Sequence, residues 1–269
     1  MAEGKFKVAA VQMVSEPEVQ ANLAVAGELI AQAAGEGAQL VALPEYFCIL
    51  GLRDRDKVAV READGHGPIQ DFLAETAARN KVWLVGGSAP LECADPNKVK
   101  NTCLVFDQAG RRVARYDKIH LFGFDLGTER FQESRSIEPG SEVVTVDAPF
   151  GRLGLSICYD LRFPEMYRKM GVVDLILVPS SFTATTGKAH WEMLLRARAV
   201  ENQAYVLAPA QGGHHKNGRD TYGHSMIIDP WGKVLAVLAS GPGVITAEID
   251  HAEIARVRQS LPALTHRVM

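Results

Sequence analysis

Short, unbroken apolar runs alternate along the chain with longer stretches whose apolar positions recur every three or four residues. Val8-Ala9-Ala10-Val11 has the continuous apolar character of a strand buried on both faces. From Glu18 to Ala34 the apolar set Leu23, Ala26, Leu29, Ile30 and Ala33 falls on one helical face, and Gly35 supplies a stop. The strand pattern returns at Leu40-Val41-Ala42-Leu43 and is ended by Pro44. A second amphipathic helix, Pro68 to Arg79, leads into Val82-Trp83-Leu84-Val85. Strand–helix–strand alternation of this kind predicts βαβ units in a partly parallel sheet.

The middle of the chain changes rhythm. Thr102 to Phe106 and Arg112 to Tyr116 flank Asp107-Gln108-Ala109-Gly110, a hairpin signal with a longer turn. Strand patterns follow at Val143 to Val146, Leu153 to Ile157 and Leu175 to Val178. A helix is expected from about His190 to Asn202, then a strand from Ala204 to Ala208. The end is a meander of His224 to Ile228, a turn at Asp229-Pro230-Trp231-Gly232, Val234 to Leu238 and Val244 to Ile249, before a polar helix from near His251. The longest irregular piece is Gly123 to Pro139, and long ordered loops in compact domains carry function. A chain of 269 residues has room for two domains, but no linker or break in composition divides it. One α/β domain over residues 1–269 is expected.

Composition narrows the class. With 47% apolar and 23% charged residues, 24 Gly and 13 Pro, extended disorder is excluded. Lys and Arg total 29 against 32 Asp and Glu, a formal charge of −3, so nothing pulls the chain toward nucleic acid. The longest apolar candidate for a membrane span, Val172 to Val178, is broken by Asp174, far short of the roughly 20 residues a bilayer needs. The first residues lack the apolar stretch of a signal peptide. Four scattered cysteines with no CxxC pair make a reducing cytoplasm the expected compartment. With no HExxH, no Cys/His cluster and no GxGxxG or phosphate-binding loop, neither a metal nor a nucleotide cofactor is expected. His214 and His215, in a Gly-rich stretch, read as part of a mobile loop.

Three strand-end residues carry complementary chemistry. Cys158 follows the apolar strand at Leu153 to Ile157, and a helix starts shortly after it. A cysteine at such a turn is expected to be exposed near backbone donors, which lowers a thiol pKa; the alternative is an inert buried core cysteine. Glu45 directly follows the strand at Leu40 to Leu43, and Lys118 follows the strand at Arg112 to Tyr116. Each taken alone reads as a surface charge or a structural ion pair. Together they compose a catalytic set, because the C-terminal edge of an α/β sheet is where sites assemble. A thiol needs a base, which Glu45 supplies if burial raises its pKa. Attack on an amide or nitrile carbon creates negative charge, which Lys118 and the Tyr159 N–H can stabilise. A Cys–His pair using His190 or His224 is a rival that leaves Glu45 and Lys118 without a role.

Leu43-Pro44-Glu45, then Tyr116-Asp117-Lys118-Ile119-His120-Leu121, then Cys158-Tyr159-Asp160-Leu161-Arg162-Phe163-Pro164-Glu165 resemble the signature of the nitrilase (carbon–nitrogen hydrolase) superfamily, and the likeness runs nearly the whole chain. The resemblance implies a four-layer αββα sandwich, dimerised by packing like layers together. It implies Glu45 as general base, Lys118 as transition-state stabiliser and Cys158 as nucleophile. It adds a second glutamate beside the lysine, matched by Glu133 in Phe131-Gln132-Glu133-Ser134. Residues 182–192, 194–203, 222–226 and 229–232 resemble the branch that contains deaminated glutathione amidase and ω-amidase, and the former more closely. Phe122 to Gly127 departs from that branch, lacking its acidic Pro-Gly stretch.

Arg162, four residues past the nucleophile, suits a substrate carboxylate, unless it pairs with Glu165. Phe182 and Thr186 follow the strand at Leu175 to Val178 and should reach the same edge as Tyr159. Arg198 and Glu201, at i,i+3, read as a structural ion pair. The expectation is a cofactor-free amidase working through a Cys158 thioester on a small carboxylate-bearing amide such as deaminated glutathione. Its rivals are an ω-amidase acting on α-keto acid monoamides and a catalytically silent scaffold. Retention of Glu45, Lys118, Glu133 and Cys158 together argues against the scaffold.

Overall fold

The computed structural model describes residues 4–127 and 130–268. Its first half runs β1 (Lys5–Gln12), α1 (Val19–Gly35), β2 (Leu40–Ala42), α2 (Asp56–Ala59), α3 (Pro68–Asn80), β3 (Trp83–Val85), β4 (Ala89–Leu91), β5 (Lys100–Phe106) and β6 (Arg112–Asp117). A small hairpin follows, β7 (Gly123–Asp125) and β8 (Arg130–Gln132). The second half runs β9 (Thr145–Ala148), β10 (Gly151–Leu155), α4 (Pro164–Lys169), β11 (Leu175–Leu177), α5 (Ala184–Asn202), β12 (Tyr205–Ala208), β13 (Ser225–Ile228), β14 (Val234–Leu238), β15 (Gly243–Asp250) and α6 (His251–Ser260).

The strands form two large sheets. One has the order β15-β1-β2-β3-β5-β4 with β6 on β5, and the other the order β14-β13-β12-β11-β10-β9. Strands β1, β2 and β3 are parallel, as are β10, β11 and β12. The apolar runs explain the layering, because successive side chains of a strand point to opposite faces. Val8 and Ala10 pack in the core shared with Leu153, Leu155 and Leu177 of the second sheet. Ala9 and Val11 pack with Leu23, Ala26 and Ile30 of α1 and Ile69, Leu73 and Ala77 of α3. A strand covered on both sides has no polar face, hence no alternation. On the far side, α5 lays Trp191, Leu195 and Ala199 on the second sheet. The result is a four-layer αββα sandwich. Among the described residues no helix is long and apolar enough to cross a membrane.

Several details differ from the pattern-based expectation. Helix α5 starts at Ala184 rather than near His190, because Thr183 caps it by accepting a hydrogen bond from Thr186 N–H. Its first turn, Ala-Thr-Thr-Gly, carries too few apolar residues for periodicity to register. The long piece after Lys118 is not irregular: it holds the β7–β8 hairpin and a 3₁₀ turn at Glu133–Arg135. Strand β9 runs Thr145–Ala148, two residues beyond the apolar run that suggested it. His215 is buried, not part of a loose loop. Its Nδ1 donates to Ser15 O at 2.9 Å, and its Nε2 lies 2.8 Å from Thr221 Oγ1.

Candidate active site

Four strand ends, two from the parallel strands β2 and β10 and two from the antiparallel strands β6 and β8, supply the site. Glu45 lies just past β2, Lys118 immediately past β6, Cys158 just past β10, and Glu133 immediately past β8. Two of these exits turn through the left-handed region: Tyr46 has φ 57° and Cys158 φ 49°. Such conformations cost energy for non-glycine residues and persist only where surroundings hold them. Ser88 Oγ holds the first, accepting from Tyr46 N–H at 2.9 Å. Gly87, φ 56°, lets the β3 exit lie against it, since a Cβ there would stand 2.1 Å from Pro44 O. The second is held by Cys158 N–H donating to Pro179 O at 2.9 Å, so that amide is not available to a substrate oxygen.

Lys118 Nζ sits between two carboxylates. It donates to Glu45 Oε1 at 2.8 Å and to Glu133 Oε2 and Oε1 at 2.8 and 3.1 Å. Asn101 Nδ2 donates to Glu45 Oε1 at 2.9 Å; Tyr46 OH and Phe122 N–H donate to the two oxygens of Glu133 at 2.8 and 2.7 Å. Cys158 belongs to the same buried set and feels the charges of both Glu45 and Lys118. Glu45 and Lys118 are 1% exposed and Cys158 7%, so these charges interact at low effective dielectric.

Burial raises the pKa of Glu45, and the charge on Glu133 adds to that against the pull of Lys118. For Lys118, burial favours the neutral amine, but Glu133 and Glu45 outweigh it and hold the ammonium well above its ordinary pKa. Glu133 is likewise pushed up by burial yet ends below the glutamate range, because Lys118 and the Phe122 amide favour its charged form. Burial, then the charge of Glu45, lifts the Cys158 thiol well above its usual value. This corrects the expectation of an exposed, acidified cysteine. The protein holds a neutral thiol beside a carboxylate that can receive its proton.

Beside the thiol lies a cavity of about 200 Å³ lined by Cys158, Tyr159, Arg162, Phe182, Thr186 and Phe122. All four substrate-contact residues expected from the sequence therefore meet at the candidate nucleophile. Arg162 does not turn to Glu165. Its Nη1 lies 3.2 Å from His190 Nδ1, and its guanidinium stands over the rings of Tyr159 and Phe182. His190 is thus engaged with Arg162, and His224 Nδ1 with Tyr222 O. Arg198 and Glu201 form the expected ion pair at 2.6 Å. Among the described residues no cluster of three or more His, Cys, Asp or Glu is placed to hold a metal ion.

The residue-by-residue reading missed the scaffold behind the set. Asp160 is fully buried and joins the cysteine turn to the lysine segment. Its Oδ2 accepts from Tyr116 OH at 2.6 Å and Ile157 N–H at 2.9 Å; its Oδ1 accepts from His120 N–H at 3.0 Å and His120 Nδ1 at 2.8 Å. Asp160, Tyr116 and His120 lie inside the signature segments, and that was the only signal for them.

Comparison with known proteins agrees with this geometry. Residues 7–259 match the family model described as carbon–nitrogen hydrolase. A deaminated glutathione amidase of Synechocystis is 43% identical over 98% of both chains. The omega-amidase NIT2 of Xenopus tropicalis is 39% identical over 98% of this chain and 95% of its own. The crystal structure of the C. elegans NitFhit protein superposes with a TM-score of 0.89 at 40% identity, covering 100% of this chain and 66% of that one. The chain belongs to the carbon–nitrogen hydrolase family, within the nitrilase superfamily, and is a hydrolase of carbon–nitrogen bonds.

Proposed function

We propose that the chain, one catalytic unit over residues 1–269, is a cysteine-dependent amidase that hydrolyses a small carboxylate-bearing amide through a thioester, with deaminated glutathione as its substrate. The carrying observation is the buried Glu45–Lys118–Glu133 arrangement, whose charges act on the buried Cys158 thiol. In the first step the Cys158 S–H proton passes to Glu45 as sulfur bonds to the amide carbon, and the C=O electron pair moves onto oxygen. Lys118 and the Tyr159 N–H stabilise that oxyanion. Collapse breaks the C–N bond, and the leaving nitrogen takes the proton from Glu45. Water then attacks the thioester, giving its proton to Glu45. Collapse releases the carboxylic acid, and Glu45 returns the proton to sulfur. Glu133 holds Lys118 charged and in place.

Arg162, over the cavity and free of carboxylate partners there, binds the acyl half's own carboxylate, with Thr186 and Phe182 shaping the pocket. The proposal requires no cofactor and no nucleic-acid or membrane partner, and places the enzyme in the cytoplasm. A homodimer is supported by exposed Met193, Val200 and Trp231, which line one groove along α5. The second reading, an ω-amidase on α-keto acid monoamides, is favoured by the small cavity, about 200 Å³.

Ammonia and amine release from a panel of amides, with intact-mass detection of an acyl adduct, tests the chemistry. Wild type is expected to turn over, and Cys158→Ala to lose several orders of magnitude. An active Cys158→Ala variant defeats the mechanism. The substrate assignment fails if the monoamide is preferred by more than about tenfold in kcat/KM, roughly 1.4 kcal/mol.

A further inference from the structure

The Glu45 carboxylate has a second donor that is neither acid, base nor nucleophile. Asn101 lies on β5, 2% exposed, and its Nδ2 donates to Glu45 Oε1 at 2.9 Å. Lys118 Nζ donates to the same oxygen at 2.8 Å. Among the described residues, the nitrogen donors to this carboxylate thus both fall on Oε1. The main chain around them is fixed by other bonds. Asn101 O accepts from Lys118 N–H at 2.9 Å, Glu45 O accepts from Gln211 Nε2 at 3.1 Å, and Tyr46 N–H donates to Ser88 Oγ. Replacing the Asn101 side chain therefore leaves the backbone ties of lysine and base in place and frees only the carboxylate end of Glu45.

Stability alone does not account for an amide at this position. Asn101 Oδ1 is buried with no hydrogen-bond partner, and an unpaired buried acceptor opposes folding. What the amide does provide is an N–H aimed at Glu45. Such a donor favours the ionised carboxylate, against the burial and the Glu133 charge that disfavour it. The titratable groups that act most on Glu45 are Lys118 after β6, Glu133 after β8 and Cys158 after β10. Tyr46, next in the chain, is kept neutral because burial lifts its phenol well above the ordinary range.

We infer that Asn101 is a positioning residue that, together with Lys118, reserves Oε1 of Glu45 for hydrogen bonds and presents Oε2 as the oxygen that takes the thiol proton. This rests on the amidase reading above, with Glu45 as base, and deepens it by naming the atom that moves the proton and the residue that selects it. As sulfur bonds to the amide carbon, the S–H bond breaks and its proton goes to Oε2, while the C=O electron pair moves onto the substrate oxygen. Oε1 becomes the carbonyl oxygen of a neutral acid and still accepts from both Asn101 and Lys118. A proton on Oε1 would displace one of them. The donors need no rearrangement as negative charge leaves Glu45, and Oε2 then gives the proton to the leaving nitrogen.

The test measures kcat/KM against pH for wild type, Asn101→Leu and Asn101→Asp, both replacements being close to Asn in shape. In parallel, the rate of Cys158 alkylation by iodoacetamide is followed against pH by peptide mass, with Tm as the check on folding. In Asn101→Leu, kcat is expected to fall by about tenfold or more with KM within about twofold, because Asn101 does not line the Cys158 cavity. The acid limb should move up by about half a pH unit or more, since a donor to the ionised carboxylate is lost. In Asn101→Asp it should move further, since a second carboxyl disfavours ionisation of Glu45. The alkylation limb should move in the same direction. A merely structural role would lower Tm and kcat and leave both limbs in place. Limbs within about 0.2 pH of wild type in the folded variants, or in Asn101→Asp alone if Asn101→Leu does not fold, overturn the assignment. So does failure of both variants to fold, which would make the side chain a requirement of folding. If wild type cleaves no amide while its alkylation limb moves up in the variants, the amidase reading fails and the role of Asn101 stands.

Discussion

Replacing Asp160 by Asn removes one charge and turns one acceptor oxygen into an NH₂ group, with almost no change in volume. The carboxylate is fully buried and meets two donors at each oxygen. With the amide placed at the Oδ2 position, its NH₂ faces the Ile157 N–H; at the Oδ1 position, it faces the His120 N–H. Tyr116 OH and the His120 ring can reverse roles and accept, but neither backbone amide can. Either orientation therefore leaves one buried N–H unsatisfied, at a cost of about 1–3 kcal/mol, and weakens the hydrogen bonds that the charge had strengthened. A total near 2–4 kcal/mol is expected, lowering Tm by about 5–10 °C for a chain of this size. The displaced amide flanks Cys158 in one case and Lys118 in the other, so kcat should fall by about 10-fold or more while KM changes less. Differential scanning fluorimetry and steady-state amide hydrolysis read the two effects. A variant within about 1 °C and about twofold of wild type would show that Asp160 does not set the spacing of nucleophile and lysine.

Two further outcomes follow from the same geometry. Glu45 must be ionised to take the thiol proton, and burial raises its pKa, so activity should be lost as pH falls through a value above the ordinary glutamate range; an acid limb of kcat/KM at the ordinary value would remove Glu45 from that role. At Gly87, where φ is 56° and a Cβ would stand 2.1 Å from Pro44 O, alanine should destabilise by about 1–3 kcal/mol and depress kcat by moving Glu45; unchanged Tm and kcat would show that the β2 and β3 exits do not need their close approach.

Glu45, Lys118 and Cys158 were legible because each ends a strand whose apolar run is visible in the sequence, and a sheet edge gathers such ends. Glu133 has no such marker: it follows β8, a three-residue strand with an exposed-to-intermediate pattern, and only the resemblance singled it out. Asp160 was invisible to composition and period alike, since a turn carboxylate is ordinarily solvated. Here Tyr116 and His120, distant in sequence, supply its donors. Strand β4 escaped notice because Pro90 sits at its centre; among the described residues its one strand partner is β5, at the end of the sheet order, with a single bridge from Leu91 to Glu62 on the other side, and a proline is tolerated there. The direction of the thiol pKa was misjudged for a related reason. Strand-end placement implied exposure, but Phe122 and Phe182 line the small cavity at Cys158 and help exclude water from it.

The buried charge balance links these observations to the proposed chemistry. With Lys118 protonated, Glu45 and Glu133 ionised and Cys158 neutral, the set carries one excess negative charge. That excess raises both Glu45 and the thiol, so a resting thiolate would be costly. Attack on an amide carbon leaves the total unchanged. The proton goes from sulfur to Glu45, and the negative charge that Glu45 gives up reappears on the substrate oxygen beside Lys118. A site that merely created a thiolate would have to accommodate a second excess charge without water; one that passes a single charge from Glu45 to the oxyanion does not. Low dielectric then strengthens the Lys118–oxyanion attraction in the transition state, while Glu133 keeps the lysine from following the proton. Burial of the nucleophile, which would silence a cysteine that works as a free thiolate, suits one whose base is buried in the same set of charges.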